Sequence, residues 1–164
     1  MKGERRGFQP NRREQLLQEF VHDSYKAGQK LREPTRCPDC GAVFQNGRWI
    51  WGSAPADAHE ALCPACHRVH DRFPAGFVTL KGDFLRAHRD DILHLIRNRE
   101  AKEKAEHPLQ RIIAIADSAD GLTVTTTDTH LARDIAQALH DAYKGELDFH
   151  YSKEEDLLRA TWIR

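Results

Sequence analysis

With 164 residues, 40 % of them apolar and 30 % charged, the chain is sized for one or two small globular domains. No segment approaches the roughly 18 consecutive apolar residues of a membrane span, and 25 basic side chains balance 25 acidic ones, so composition alone does not announce a nucleic-acid binder. The charges are unevenly spread: residues 1–36 carry 9 Lys/Arg against 5 Asp/Glu, and residues 109–164 carry 6 against 10, so the front can face phosphate, although a solubility gradient accounts for the pattern as well.

Residues 1–10 read as a flexible basic tail ending at Pro10. Arg5, Arg6, Arg12 and Arg13 form the densest basic cluster, which suits a phosphate-contacting arm or a solvated tail. Asn11 and Glu14 have capping-box spacing, and Leu16, Leu17, Phe20, Val21 and Tyr25 follow at helical intervals. A helix is therefore expected from Asn11 to about Lys30, and Pro34 forbids its continuation through Glu33.

The chain's four cysteines fall as two Cys-x-x-Cys pairs, Cys37-Pro38-Asp39-Cys40 and Cys63-Pro64-Ala65-Cys66, with 22 residues between them. Each pair can fold as a knuckle whose two sulfurs converge, and two knuckles supply the four thiolates of a closed tetrahedral site. The expected cofactor is Zn2+ held by Cys37, Cys40, Cys63 and Cys66. Disulfides are the competing use, but they need an oxidising compartment. The start Met1-Lys2-Gly3-Glu4-Arg5-Arg6 has no apolar signal-like run, so a cytoplasmic setting is expected. Four thiolates leave no coordination position for water, so the ion is read as structural and no catalytic residue is assigned. His67 and His70 stand beside the second pair and could replace a cysteine or touch a ligand from outside; neighbours that ligate nothing are the simpler reading.

Between the pairs, Asn46-Gly47 is a hairpin turn joining strands Val43–Gln45 and Arg48–Trp51. Trp49 and Trp51 share one face by the period of two, either as a surface on which a base stacks or as packing against neighbouring helices. Beyond the second pair, Phe77–Leu80 reads as a short strand closed by Gly82, and Asp83 caps a helix of about residues 83–105 with a stripe at Leu85, His88, Ile92, Leu95 and Ile96. This long helix is expected to link two domains, residues 11–107 and 108–164, with the boundary near His107-Pro108.

The last segment reads as strand (Arg111–Asp117), turn, strand (Leu122–Thr127), helix (Asp128 to Tyr143), strand (Glu146–Tyr151) and strand (Leu157–Ile163). That order predicts a ββαββ sandwich, and the whole chain is α+β: an N-terminal helix, a four-cysteine zinc ribbon with a β-hairpin, a linker helix and the C-terminal sandwich. The segment contains no glycine-rich phosphate loop, nucleophile elbow or paired catalytic carboxylates.

The two knuckles, the long helix after them, and the stretch Gly121-Leu122-Thr123-Val124-Thr125-Thr126-Thr127-Asp128-Thr129-His130-Leu131-Ala132 together resemble a family of large-ribosomal-subunit adaptors of the nonsense-mediated-decay type, as a bacterial relative. The likeness covers roughly residues 35–164. This chain is shorter and has fewer knuckles than the eukaryotic members, so their nuclear-export role does not carry over. The resemblance implies association with RNA or a ribosomal subunit and no catalysis. Arg5, Arg6, Arg12, Arg13, Arg36, Arg48 and Arg68 are then the expected phosphate contacts, with Trp49 or Trp51 stacking on a base. Two alternatives stand beside this reading. Asp57-Ala58-His59 ahead of the second knuckle resembles part of a His-Asn-His nuclease, but the hairpin and asparagine between its histidines are missing. The acidic C-terminal segment could instead bind a protein partner, with the zinc ribbon only a staple. No membrane partner is expected.

Overall fold

A computed structural model of the chain describes residues 30–164, and the helix expected from Asn11, with Arg5, Arg6, Arg12 and Arg13, lies outside them. The described residues form a mixed α+β fold with four helices and two mixed sheets.

The first sheet is small. β1 (Thr35–Arg36), β2 (Val43–Gln45), β3 (Arg48–Ile50) and β4 (His59–Glu60) lie in the order β3-β2-β1-β4. β2 and β3 pair antiparallel with Phe44 opposite Trp49, whose rings lie 5.5 Å apart. Their turn is the Asn46-Gly47 hairpin read from the sequence, with φ of 53° and 76°. Positive φ at both central residues matches the turn to the strand twist, which is why asparagine and glycine stand there. β1 pairs antiparallel with β2 and parallel with β4. Strands of two residues leave no alternation to read. After the small sheet comes α1 (Pro64–Asp71), with Cys63 as its N-cap and a proline in its first turn. Proline lacks only an N–H that no helical carbonyl would have accepted there.

The second sheet has five strands. β5 (Gly76–Lys81), β6 (Ile112–Ser118), β7 (Gly121–Thr126), β8 (Glu146–Ser152) and β9 (Leu157–Ile163) lie in the order β6-β7-β5-β9-β8. The four strands expected after residue 108 are all present, but they close around β5, which comes from upstream of the expected boundary. β5 pairs antiparallel with β7, Val78 opposite Val124, and parallel with β9, Val78 opposite Ala160. The sheet therefore does not divide at His107-Pro108. Three consecutive alternations bury Val78 and Leu80, Leu122 and Val124, and Leu158, Ala160 and Trp162 on one face.

Helices α2 (Asp83–Ala87), α3 (Arg89–Glu106) and α4 (Thr129–Tyr143) follow the same logic. α4 begins where expected: the Asp128 carboxylate accepts the Leu131 N–H at 3.1 Å. Its stripe of Leu131, Ile135 and Leu139 meets the sheet, together with Ile92 and Ile96 of α3. Thus α3 is a wall of the core, not a linker between domains. The single helix expected over 83–105 is broken at His88, where φ is −124° and ψ is 28°, and the imidazole stacks on Phe84 at 4.1 Å. Gly82, not Asp83, occupies the N-cap position of α2. Its φ is 106°, and a Cβ there would come 2.2 Å from the Arg164 carbonyl oxygen. Close backbone passage therefore places glycine here.

Candidate metal centre

The first knuckle is a tight turn after β1. The Cys37 N–H donates to Ala42 O at 2.8 Å, and the Gly41 N–H to Cys37 O at 2.9 Å, with Gly41 at φ 80°. The second knuckle is the first turn of α1, where the Cys66 N–H donates to Cys63 Sγ at 3.3 Å. The Cys63 N–H in turn donates to Cys37 Sγ at 3.3 Å, so backbone donors of the second knuckle serve both pairs.

The four sulfurs all lie within 4.8 Å of one another, and Cys40 Sγ is 3.8 Å from Cys63 Sγ. Ligand bonds of about 2.3 Å to a central tetrahedral ion place sulfurs about 3.8 Å apart, so the spacing fits such a site. None of the four cysteines is in a disulfide. Cys37, Cys63 and Cys66 are buried and Cys40 is half-buried, with Ala65, Trp49, Leu62 and Leu109 packed around them. Four converging sulfurs in an apolar shell are a donor set for a soft or borderline cation. The cluster could hold a metal ion.

One further residue completes the cluster. Arg111, immediately before β6, donates from Nη2 to Cys63 Sγ at 2.9 Å and to Cys40 Sγ at 3.6 Å, and from Nη1 to Cys66 Sγ at 3.2 Å. Its Nε–H donates to Pro108 O at 3.0 Å. Burial works against the guanidinium charge, but the sulfurs of Cys66, Cys63 and Cys40 outweigh it and hold the Arg111 pKa above its ordinary value. Burial pushes the Cys63 thiol up, with the Cys66 N–H and Arg111 opposing. Burial likewise raises Cys66 against the pull of Arg111. At Cys37 burial also acts upward, but the N–H groups of Cys63, Cys40 and Asp39 prevail and bring the thiol down to about 7.

No spacing rule connects Arg111 with a cysteine 45 residues earlier, so nothing in the local sequence marks it. The start of α1 did carry a signal, since a proline directly after a capping residue is a helix-opening pattern.

The other expected site residues scatter. Arg36 is exposed and pairs with Glu60 at 2.8 Å. Arg48 is exposed beside the hairpin turn. Arg68 is only 5 % exposed, and its Nη1 donates to Phe73 O at 3.1 Å, so its guanidinium serves the end of α1 instead of facing solvent phosphate. Trp49 packs on the cysteine cluster. The Trp51 indole N–H donates to Lys104 O near the end of α3 at 2.6 Å. Both tryptophans are half-buried, and the packing alternative accounts for their contacts. His70 Nε2 lies 2.5 Å from the Asp39 carboxylate, tying the last turn of α1 to the first knuckle outside the sulfur cluster. His67 is exposed on α1 and His59 is exposed in β4. The group of potential ligands found among the described residues consists of the four cysteines alone. No helix among the described residues is long and apolar enough to cross a membrane.

Set against protein-family models, curated proteins and solved structures, the chain matches none of them.

Proposed function

We propose that the four cysteines hold one structural Zn2+ and that the chain is a non-catalytic RNA-binding adaptor acting at a ribosomal subunit. The observation that carries the first half is the closed four-sulfur cluster. With every coordination position filled and a guanidinium over three of the sulfurs, no position remains at which a metal-bound water could form.

The RNA reading draws support from the face of the five-stranded sheet opposite the core. One row across it runs Ala114, Thr125, Phe77, Arg159 and His150 in register. The next runs Ala116, Thr123, Thr79, Thr161 and Asp148. The Arg159 guanidinium lies 4.5 Å from the Phe77 ring centroid. An aromatic–arginine pair across two adjacent strands, β5 and β9, flanked by hydroxyls, is the chemistry on which unpaired bases stack and hydrogen-bond. The expected stacking group thus moves from the knuckle tryptophans to Phe77.

The test is equilibrium binding of the full chain to single-stranded RNA and to isolated ribosomal subunits over a salt series. Phe77→Ala is expected to weaken RNA binding about 5- to 150-fold, the loss of about one stacked base, with zinc content unchanged. Absence of RNA and subunit binding at low salt would remove the adaptor reading. RNA cleavage by the zinc-loaded chain would replace it with a nuclease.

A further inference from the structure

Three of the four sulfurs accept a hydrogen bond from one side chain that belongs to neither knuckle. Arg111 spends its fork on them: Nη2 reaches Cys63 and Cys40, and Nη1 reaches Cys66. The fourth sulfur, of Cys37, accepts the Cys63 N–H. A guanidinium presents five N–H donors in a fixed plane, whereas an ammonium offers three from a single nitrogen, so arginine can reach the sulfurs from two nitrogens while its Nε–H holds Pro108 O.

The position of Arg111 is set by the other half of the molecule. Its backbone N–H donates to Thr127 Oγ1 at 2.9 Å, and the Thr127 N–H donates to Arg111 O at 2.9 Å. The Thr127 hydroxyl also donates to Leu109 O at 2.6 Å, and Leu109 packs on the cysteine cluster. Thr127, the residue just past β7, therefore holds the backbone from which the guanidinium reaches the sulfurs. Four thiolates around a divalent ion carry a net charge of −2, which is costly to bury. One guanidinium in contact halves it, and donors to ligating atoms are known to tune how firmly a metal is held.

We infer that Arg111 is an outer component of the metal centre that slows release of the ion and ties the knuckles electrostatically to the five-stranded sheet. This rests on the zinc reading proposed above. Arg111 would touch the ligands and not the ion, so it is a positioning residue.

The experiment compares the full-length zinc-loaded chain with Arg111→Gln, Arg111→Lys and the core control Val124→Ala. Zinc per chain is measured first, then the rate of zinc transfer to a chromogenic chelator, then the thiolate-to-cobalt absorption band after Co2+ exchange. Arg111→Gln is expected to release zinc about 10- to 100-fold faster and to shift the cobalt band, with Arg111→Lys intermediate. Val124→Ala, which weakens the sheet without touching a sulfur, is expected to leave both readouts in place. A wild-type release rate and cobalt band in Arg111→Gln would overturn the inference while leaving the zinc site standing. Equally fast release from Val124→Ala would overturn it too, by assigning the effect to general loosening. A wild-type chain that takes up no zinc would overturn the zinc reading and this inference together. Should Arg111→Gln fail to fold, Arg111→Lys decides by the same two readouts.

Discussion

Around the knuckles, the fully buried apolar cluster is Cys37, Cys63, Ala65 and Cys66, three of which are cysteines. Around the five-stranded sheet, Val78, Leu80, Ile92, Ile96, Leu122, Leu131, Leu139 and Trp162 head a continuous core. The first region has few buried apolar side chains beyond its cysteines, so under the proposed zinc reading the ion would serve as its staple. The second follows the ordinary rule of a sheet covered by helices, each large side chain contributing about 1.5–3 kcal/mol on burial. The two regions sit in one chain but are built differently: the first gathers around four sulfurs and the second around aliphatic and aromatic side chains.

The most severe way to break this contrast is Cys63→Ser. It removes a sulfur that caps α1, accepts from Arg111 and belongs to the cluster. Apparent metal-binding energies for such sites are about 10–16 kcal/mol and count as folding energy. Zinc stoichiometry should collapse, and amide-exchange protection should vanish from residues 35–71 while Val78 and Val124 stay protected. Loss of protection in both regions together would mean a single cooperative unit and end the comparison.

The reverse test is Trp162→Ala. Trp162 is fully buried, and its indole N–H donates to Lys144 O at 2.7 Å. A loss of about 3–5 kcal/mol is expected from denaturant titration of the metal-loaded chain, with zinc still bound under native conditions. Stability within error of wild type would show that the sheet is not where the fold is held.

The mildest test is Gly47→Ala. Gly47 sits at φ 76° with open space where a Cβ would go, so the cost is purely conformational. About 1 kcal/mol should be lost from the hairpin, read as faster exchange of the β2–β3 amides and no change around β5. A change in the sheet from this remote turn would again argue against separate dependence.

Much of the first region was legible because its signals are local. Cys-x-x-Cys spacing follows from the reach of a tight turn, and Asn46-Gly47 from the φ values that a two-residue hairpin needs. The order of elements after residue 108 was legible for the same kind of reason: alternation at Leu122, Val124 and Thr126, and a helical stripe opened by Asp128. Phe77–Leu80 could be read as a strand, but nothing within it says that its partners are β7 and β9. His88 fits the apolar stripe of a long helix in sequence, yet its stacking on Phe84 marks a break. The tryptophans were recognisable as exceptional, but their partners, the sulfur cluster and Lys104 O, come from elsewhere in the chain.

By itself, then, the amino-acid order determined the two cysteine knuckles, the hairpin and the succession of helices and strands, because each rests on geometry spanning a few residues. Only the tertiary structure decided that β5 is the central strand, that α3 walls the core, and that Arg111 lies on the sulfurs. Those outcomes depend on pairing and charge neutralisation between segments far apart in the chain, where no period or spacing carries the information.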